Sequence, residues 1–274
     1  MRAKALAITL VVAILFSFFF FGSLVHSVSS QFVEDIFIRA DGSVEGTDKI
    51  QRDGNVYTLT GNISGGIQVQ KSYVVIDGAG NAVEGDGEYR IGVDLSNGVG
   101  QNPSHATISN VTVKNLKIVN CYYALSNENT YNNTFIGNYI SECDTGFWIT
   151  GSGNNTLIHN TIKNCTTGIS INYDSGGNVI VENNIMSSVS VWLSPDPLVD
   201  RNYWSDYLER YPNAKEIDNS GIWDTSYDRE TFIDNHPLVE PVSVIPEFSS
   251  PLFALPIMVA VSIGLLFYFK KRKH

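Results

Sequence analysis

The chain has 274 residues, of which 43% are hydrophobic and 17% charged, and its formal net charge is −10. These proportions exclude a disordered polyelectrolyte and a protein that is wholly embedded in a membrane. All 28 acidic residues but only 12 of the 18 basic residues lie between Glu34 and Glu247, so that stretch carries a net charge of −16. A surface of this charge repels phosphate backbones, and we expect no nucleic acid partner.

An uncharged apolar run at 5–24 follows Arg2 and Lys4 near the start of the chain. The run exceeds the roughly 7 to 15 residues of a signal-peptide core. Residues 1–30 are therefore predicted to be either a secretion signal, cleaved among the small residues at 27–30, or a permanent membrane anchor. Both alternatives place the residues that follow outside the cytoplasm.

A 22-residue repeat fills the middle of the chain. The predicted core ladder consists of Ile118, Ile140, Ile162, Cys121, Cys143 and Cys165. On either side of this frame, Asn115 precedes Asn138 and Asn160 precedes Asn183 by 23 residues. This spacing predicts a one-residue insertion on each side. On the later side, the shifted ladder would continue through Ile185, Ser188 and Trp192.

Each copy of the repeat alternates apolar and polar residues in short runs that are separated by Asn, Gly and Ser. Such alternation is typical of short strands joined by turns, and the framework of a leucine-rich repeat is missing. Stacked strands would place each residue over the one 22 positions later at a spacing of about 4.7 to 4.9 Å. We predict an all-β parallel β-helix over residues 31–200, with about six coils, each coil being one circuit of the chain. Asn residues, Gly146 and Gly168 would form its bends.

The run VVIDGAG, which begins at Val74, looks like the opening coil of right-handed β-helix proteins. The Asn-Thr pairs of the repeat and the segment Asn202–Tyr207, NYWSDY, resemble the NosD-like family of parallel β-helix repeat proteins found on archaeal surfaces. The resemblance covers most of the segment between the apolar runs and implies a right-handed helix. We predict that residues 201–240 form an aromatic cap, in which Tyr203, Trp204 and Tyr207 cover the open end of the stack.

A linker at 241–251 contains the motif Pro246-Glu247-Phe248, and an apolar run at 252–269 and a basic tail at 270–274 follow. The run has about the length that spans a bilayer, and the basic end marks the cytoplasmic side. The ordered motif, apolar run and basic end resemble the PEF-CTERM sorting signals of archaea. That resemblance implies an archaeosortase partner, which would cut near Phe248. A plain carboxy-terminal anchor has the same hydrophobicity and basic end, so both alternatives stay open.

The three cysteines predict an inert thiol stack. Stacked neighbours would have Cα atoms within disulfide range, but their side chains would point in parallel and one thiol would remain over. Cys121 and Cys165 would lie about two strand spacings apart, too far to share one zinc ion. The NosD-like resemblance implies copper, which needs several His, Cys or Met ligands, whereas His105, His159 and His236 are widely spaced. We expect no cofactor, with copper or calcium as the alternatives.

Secreted β-helices are often polysaccharide lyases or hydrolases, which need paired carboxylates on one face. The outward ladders 119/141/163, 120/142/164 and 123/145/167 collect no two acids. A stacked outward pair of acids with a basic neighbour would favour an enzyme. Two or more converging His or Met residues would favour a copper accessory protein.

Strand alternation turns Trp148 and Tyr139 outward, where their rings could stack on sugars or be covered by a loop. Five Asn-X-Ser/Thr sequons give candidate N-glycosylation sites at Asn62, Asn110, Asn132, Asn154 and Asn164. Together these features predict a non-catalytic protein of the cell membrane with an extracytoplasmic β-helix. Its expected role is adhesive, carbohydrate-binding or architectural. The expected partners are the membrane and extracellular polysaccharide or envelope components.

Overall fold

The computed structural model describes residues 36–96, 107–187, 189–191, 197–229 and 231–243. The predicted signal or anchor at 1–30, the Pro246-Glu247-Phe248 motif, the apolar run at 252–269 and the basic tail lie outside the described residues. Within the described part of the chain, no helix has the length and apolarity needed to cross a membrane.

Short strands make up most of the regular structure. In chain order they are β1 (Ile36–Ile38), β2 (Val44–Glu45), β3 (Ile50–Asp53), β4 (Val56–Leu59), β5 (Ile63–Ser64), β6 (Ile67–Val69), β7 (Val75–Asp77), β8 (Ala82–Glu84), β9 (Ile91–Asp94), β10 (Thr112–Lys114), β11 (Lys117–Val119), β12 (Tyr123–Glu128), β13 (Thr134–Ile136), β14 (Tyr139–Ser141), β15 (Thr145–Thr150), β16 (Thr156–Ile158), β17 (Thr161–Lys163), β18 (Thr167–Asn172), β19 (Val179–Val181), β20 (Asn184–Met186), β21 (Val189–Val191), β22 (Leu198–Asp200), β23 (Tyr203–Trp204), β24 (Tyr227–Asp228) and β25 (Ile233–Asp234). One short helix, α1 (Tyr207–Arg210), follows β23.

Three sheets wrap around one core. Sheet A has the order β2-β1-β6-β9-β12-β15-β18-β21, sheet B the order β22-β19-β16-β13-β10-β7-β4-β3, and sheet C the order β23-β20-β17-β14-β11-β8-β5. Each coil contributes one strand to sheet B, one to sheet C and one to sheet A. Six complete coils run from β4 to β21, and β22 and β23 begin a seventh. The predicted parallel β-helix of about six coils is therefore confirmed.

The core consists of the inward residue of each strand, stacked on its equivalents. In sheet C, Ile118 pairs with Ile140 and Ile140 with Ile162, which are the 22-residue steps of the sequence. All three are fully buried. Apart from the buried Ser141, the outward residues on either side face solvent or are half-buried against their neighbours, because successive side chains of a strand point to opposite faces.

Buried asparagines stabilise two of the corners between sheets. One ladder contains Asn133, Asn155 and Asn178, and the other contains Asn138, Asn160, Asn183 and Asn202. In each step the side-chain oxygen accepts the backbone N–H of the coil before it, as Asn160 Oδ1 does from Asn138 N at 3.0 Å. The Asn160 side-chain amide donates to Phe135 O at 2.9 Å. These asparagines therefore satisfy backbone groups at bends that the strand ladders leave unpaired.

The two predicted one-residue insertions have different outcomes. Leu116, whose N–H donates to Asn138 Oδ1 at 3.2 Å, occupies the ladder position before Asn138. Asn115 instead matches Gly137, because both have left-handed backbone with φ of 51° and 64°. The predicted insertion on that side is wrong. On the other side the step is 23 residues, and the extra residue lies in the left-handed pair 173–174.

The continuation of the shifted ladder through Ser188 and Trp192 is also wrong. Ser187 Oγ accepts the N–H of Cys165, and Val189 pairs with Ile169. Ser188 and Trp192 lie outside the described residues. The positions predicted for them, next to Cys165 and Ile169, are held by Ser187 and Val189. The physical reason is a shorter circuit, since Asn183 and Asn202 are bonded across only 19 residues.

Gly146 lies inside β15 and has no left-handed backbone, so it does not form the predicted bend. A Cβ atom at Gly146 would lie 2.4 Å from the carbonyl oxygen of Gly168 on the next coil. Glycine is required here because consecutive coils approach closely.

The cap covers the end of the stack with aromatic rings. Trp204 on β23 pairs with Ile185 of the preceding coil, so parallel pairing extends into the segment predicted as cap. Tyr207 on α1 and Tyr227 on β24 continue the cover, and Trp204 stacks on Tyr227 at 4.3 Å between ring centroids. Trp204 and Tyr207 are buried. Tyr203 pairs with Asn184 in an outward column and is only half-buried, so it does not cover the end.

Candidate functional site

The outer face of sheet A carries a line of aromatic rings, here called the aromatic strip, formed by Tyr89, Tyr122, Tyr123 and Trp148. Neighbouring ring centroids lie 6.2, 4.5 and 5.0 Å apart in that order. Tyr123 and Trp148 are stacked with nearly parallel ring planes, at an angle of 7°. Tyr89, at the end of the strip, is 86% exposed.

Strand alternation and small neighbours hold Trp148 in the strip. Phe147 and Ile149, on either side of it in β15, are fully buried, which turns Trp148 outward. Its neighbours in the same column are Ser126 on β12 and Ser170 on β18. Because both neighbours are serines, they leave room for the ring to lie against Tyr123.

Two carboxylates share this outer face. Asp94 on β9 pairs with Ser126, and Glu128 lies two residues beyond Ser126 on the same side of β12. Burial raises the pKa of Asp94, and the charge of Glu128 adds to the rise, while hydrogen bonds with Ser96 oppose it. The Ser96 backbone N–H donates to Asp94 Oδ1 at 2.8 Å.

A cavity of about 190 Å³ adjoins Asp94 on the side of the first coils. Phe37, Gln68, Tyr89 and Arg90 line it together with Asp94. Arg90 also forms an ion pair with Asp86 at 3.6 Å. The aromatic strip thus leads from Trp148 into a polar cavity that contains one acid and one base.

A family model for the right-handed β-helix region matches residues 53–235. The chain belongs to the right-handed β-helix family. The matched region contains β4 to β25, and so includes the whole aromatic strip and most of the cap. Neither the curated proteins nor the solved structures contain a match to the chain.

The right-handed β-helix separates the two aromatic residues that the sequence singled out. Trp148 lies on sheet A, half-buried against Tyr123. Tyr139 lies on β14 of sheet C and is 39% exposed. The two rings therefore cannot contribute to one site.

The 22-residue frame contained only part of the signal for this site. Tyr123 precedes Thr145 by one repeat and could be placed on an outward ladder. Asp94, however, precedes its neighbour Ser126 by 32 residues, so the repeat could not align them. For the same reason the outward ladders, which collect no two acids, missed the pair of Asp94 and Glu128 on sheet A.

The cysteines of this right-handed β-helix form a buried corner column of free thiols. The N–H of Cys121 lies 3.4 Å from Cys143 Sγ. Hydrogen bonding with Cys121, together with burial, raises the pKa of Cys143 to about 12, and the pKa of Cys165 is also raised. Both thiols are protonated at neutral pH and are poor nucleophiles and metal ligands.

No group of three or more His, Cys, Asp or Glu residues within the described ranges is arranged to hold a metal ion. His159 Nε2 lies 2.8 Å from Glu182, and His236 Nδ1 lies 2.7 Å from Asp200. Each described histidine therefore pairs with a carboxylate on the outside of the helix. His105 lies outside the described residues.

The five sequon asparagines all lie on the surface; they are Asn62, Asn110, Asn132, Asn154 and Asn164. Asn110, Asn132 and Asn154 occupy the same corner on consecutive coils, and each has left-handed backbone. The strands β10, β13 and β16 that follow them are paired in register. These three side chains are therefore accessible and closely spaced.

Proposed function

We propose that this right-handed β-helix binds carbohydrate at the cell surface through the aromatic strip of sheet A. The observation that carries the proposal is the line of four rings with centroids 4.5 to 6.2 Å apart. Sugar rings have apolar faces that stack on aromatic rings, and Tyr89 and Tyr122, which are 86% and 36% exposed, keep ring surface open to such a ligand. Aromatic side chains also contribute large contact areas at little cost in conformational entropy.

Polar groups beside the strip support a carbohydrate ligand over a purely apolar one. Ser126 and Ser170 flank Trp148, and Gln68 and Asp94 line the adjoining cavity. Binding sites for small polar ligands combine apolar surface with a few such hydrogen-bonding groups, which fix the orientation of the ligand. The acidic charge of the chain favours a neutral glycan over a polyanionic one.

The proposed protein is anchored in the cell membrane with its β-helix outside. The apolar runs at both ends and the basic residues next to them support this location. Its partners would be envelope or extracellular polysaccharides, and its role adhesion or envelope architecture. The NosD-like and PEF-CTERM resemblances suit such a surface protein.

Binding by detergent-solubilised full-length protein to a panel of neutral and acidic polysaccharides tests the proposal. Trp148→Ala should weaken binding of the best ligand about 30-fold, the loss of roughly 2 kcal/mol that is common for a central aromatic contact. Its thermal unfolding should change little, because the ring lies outside the core. Tyr139→Ala, on sheet C, is the matched control and should retain affinity. Full affinity in folded Trp148→Ala would contradict the proposal.

A second candidate function is cleavage of the bound glycan by Asp94 and Glu128. The two acids are diagonal neighbours on adjacent strands, a relation that places Cα atoms roughly 7 to 8 Å apart. The raised pKa of Asp94 suits a general acid, Glu128 would be the second carboxylate, and the Arg90 guanidinium lines the same cavity as a fixed positive charge. Incubation with the bound polysaccharide should then release new chain ends, and Asp94→Asn should abolish release even at polysaccharide concentrations that saturate the variant. Binding without release at any pH would leave the non-catalytic function.

The carboxy-terminal anchor has a separate test. If an archaeosortase processes the chain, mass spectrometry of isolated envelopes should find a modified carboxy terminus near Phe248 and no peptides from 270–274. A plain anchor would leave the tail intact. Recovery of the unmodified chain in the cytosol would contradict both alternatives.

A further inference from the structure

A groove runs along the outside of sheet C, with a volume of about 310 Å³ and mostly apolar walls. Lys117, Tyr139, Thr161 and Asn184 line it, and Val242 lies at one end. Gly137 also lines the groove, at the corner before Tyr139, and contributes no side chain there. This groove, here called the sheet C groove, is separate from the aromatic strip on sheet A.

The last described residues lead into the sheet C groove. The N–H of Leu238 donates to Asn202 O in the seventh coil at 3.0 Å. Four residues later, Val242 N–H donates to Asn184 Oδ1 at 2.7 Å, and Asn184 Nδ2 donates to Val242 O at 2.9 Å. Asn184 belongs to the sixth coil. The chain therefore moves across the strands toward the first coils, and both peptide groups of Val242 are held.

The residues beyond Val242 have a length and chemistry that match the groove. Asn184, Thr161, Tyr139 and Lys117 are consecutive neighbours across sheet C. With about 4.8 Å per coil, Tyr139 lies roughly 10 Å and Lys117 roughly 14 Å from Asn184. An extended chain advances about 3.3 Å per residue, so residue 245 would reach Tyr139 and residue 247 would reach Lys117. These residues are Ile245, which is apolar, and Glu247, which is acidic.

We propose that residues 243–247 bind in extended form in the sheet C groove, with Ile245 against the Tyr139 ring and Glu247 beside Lys117. Tyr139 is 39% exposed, and Lys117 is exposed and forms no ion pair with any described residue. The segment covers the ring and supplies the missing counter-charge. The Pro246-Glu247-Phe248 motif then lies on the body of the β-helix, and the apolar run leaves toward the first coils.

Zero-length carbodiimide cross-linking of the full-length protein, followed by peptide mass spectrometry, tests this position directly. Glu247 should cross-link to Lys117 with a yield similar to that of Lys114 and Asp77, an ion pair of 3.0 Å that serves as the positive control. Lys163 is exposed in the other outward column of sheet C and is the matched negative control. Equal linkage of Glu247 to Lys117 and Lys163, or no link to Lys117 while the positive control forms, would overturn the proposal.

Proteolysis with a Glu-specific protease provides an independent measurement. Lys117→Glu should increase the cleavage rate after Glu247 at least fivefold, because the variant repels the segment from the groove. Tyr139→Ala should also increase it by removing the apolar contact, whereas Lys163→Glu should not. Cleavage after Glu88, which is exposed and precedes the exposed Tyr89, calibrates protease activity in every sample. Equal rates after Glu247 in the wild type and in all three variants would overturn the proposal.

Discussion

The middle coils and the carboxy-terminal cap both cover apolar side chains and pair backbone groups, but they do so in different ways. From β10 to β18, every inward residue is stacked between its equivalents, so the contacts that stabilise one coil are repeated in the next. No further copy of the repeat lies above the cap. The cap must therefore pair the polar groups and cover the apolar side chains of the last coil with residues that occur only once. The difference teaches that repetition supplies the stack with its stability, while the ends require specific, non-repeating contacts.

Asp234 shows how the cap ends an asparagine ladder. In the ladder each asparagine accepts an N–H from the coil before it, and Asn202 in the last coil still needs an acceptor for its own N–H. Asp234 Oδ2 accepts that N–H at 2.9 Å and the Trp204 indole N–H at 3.0 Å, while Oδ1 accepts the N–H of Arg201 at 3.0 Å. Burial raises the pKa of Asp234, and the hydrogen bonds with Asn202 and Trp204 oppose the rise. One carboxylate thus ends the asparagine ladder and also holds the Trp204 ring of the cap in place.

Removal of the cap should have the largest effect. A chain that ends at Leu193 leaves the Asn183 N–H without its acceptor and Ile185 without Trp204 above it. Unpaired strand edges and an exposed apolar end promote association. We expect aggregates by size-exclusion chromatography with light scattering, whereas a chain ending at residue 243 should remain monomeric. A stable monomer that ends at Leu193 would show that the coils need no cap.

Ile140→Ala should destabilise the middle of the stack by about 2 to 5 kcal/mol, the usual cost of removing buried aliphatic atoms. Ile140 is fully enclosed between Ile118 and Ile162. Chemical denaturation monitored by circular dichroism measures the loss. The exposed Lys163→Ala on the neighbouring strand is the control and should change stability by less than about 0.5 kcal/mol. A similar small change in Ile140→Ala would mean that coils tolerate gaps in the ladder.

The contrast between the two regions also explains how far sequence can predict this molecule. Ile118, Ile140 and Ile162 were predictable because equal spacing in the chain becomes adjacency in space. The positions of Asp94 and Asp234 were not predictable. Asp94 lies in an irregular early coil and is out of step with the 22-residue spacing, and Asp234 finds its hydrogen-bond partners only in the non-repeating cap. The aromatic strip lies between these cases. The outward orientation of Trp148 could be predicted from strand alternation, but its stacking on Tyr123 depends on the register of two strands.

Asp234→Asn should cost roughly 1 to 3 kcal/mol, because one acceptor oxygen becomes a donor that faces buried N–H groups. Asp234 is fully buried, and its bonds with Arg201, Asn202 and Trp204 require acceptors only. Thermal and chemical unfolding measure the change. Asp218→Asn in the same cap is the control, since Asp218 is exposed. Equal stability of the two variants would show that the carboxylate does not close the ladder.

Glu182→Gln should have the smallest effect and appear only in acid. Glu182 lies at a left-handed corner of the sixth coil between His159, at 2.8 Å, and Arg201, at 3.3 Å. The hydrogen bond with His159, reinforced by Arg201, lowers the pKa of Glu182 below its ordinary value of 4.5. A lowered pKa in the folded state stabilises the protein above the ordinary pKa, and this contribution is lost as the pH falls through the lowered value.

The variant should therefore lose stability less steeply than the wild type between about pH 5 and pH 3, with a difference at neutral pH of at most about 1 kcal/mol, as for other exposed ion pairs. Denaturation midpoints across this range measure the slope. Glu142 occupies the equivalent kind of left-handed position in a middle coil, with φ of 58° against 52° for Glu182. Glu142 forms no ion pair with any described residue, so Glu142→Gln is the control that removes a corner carboxylate without removing a charged contact. An identical slope in both variants would mean that the charged contacts near the cap add nothing to the stability that the middle coils already have.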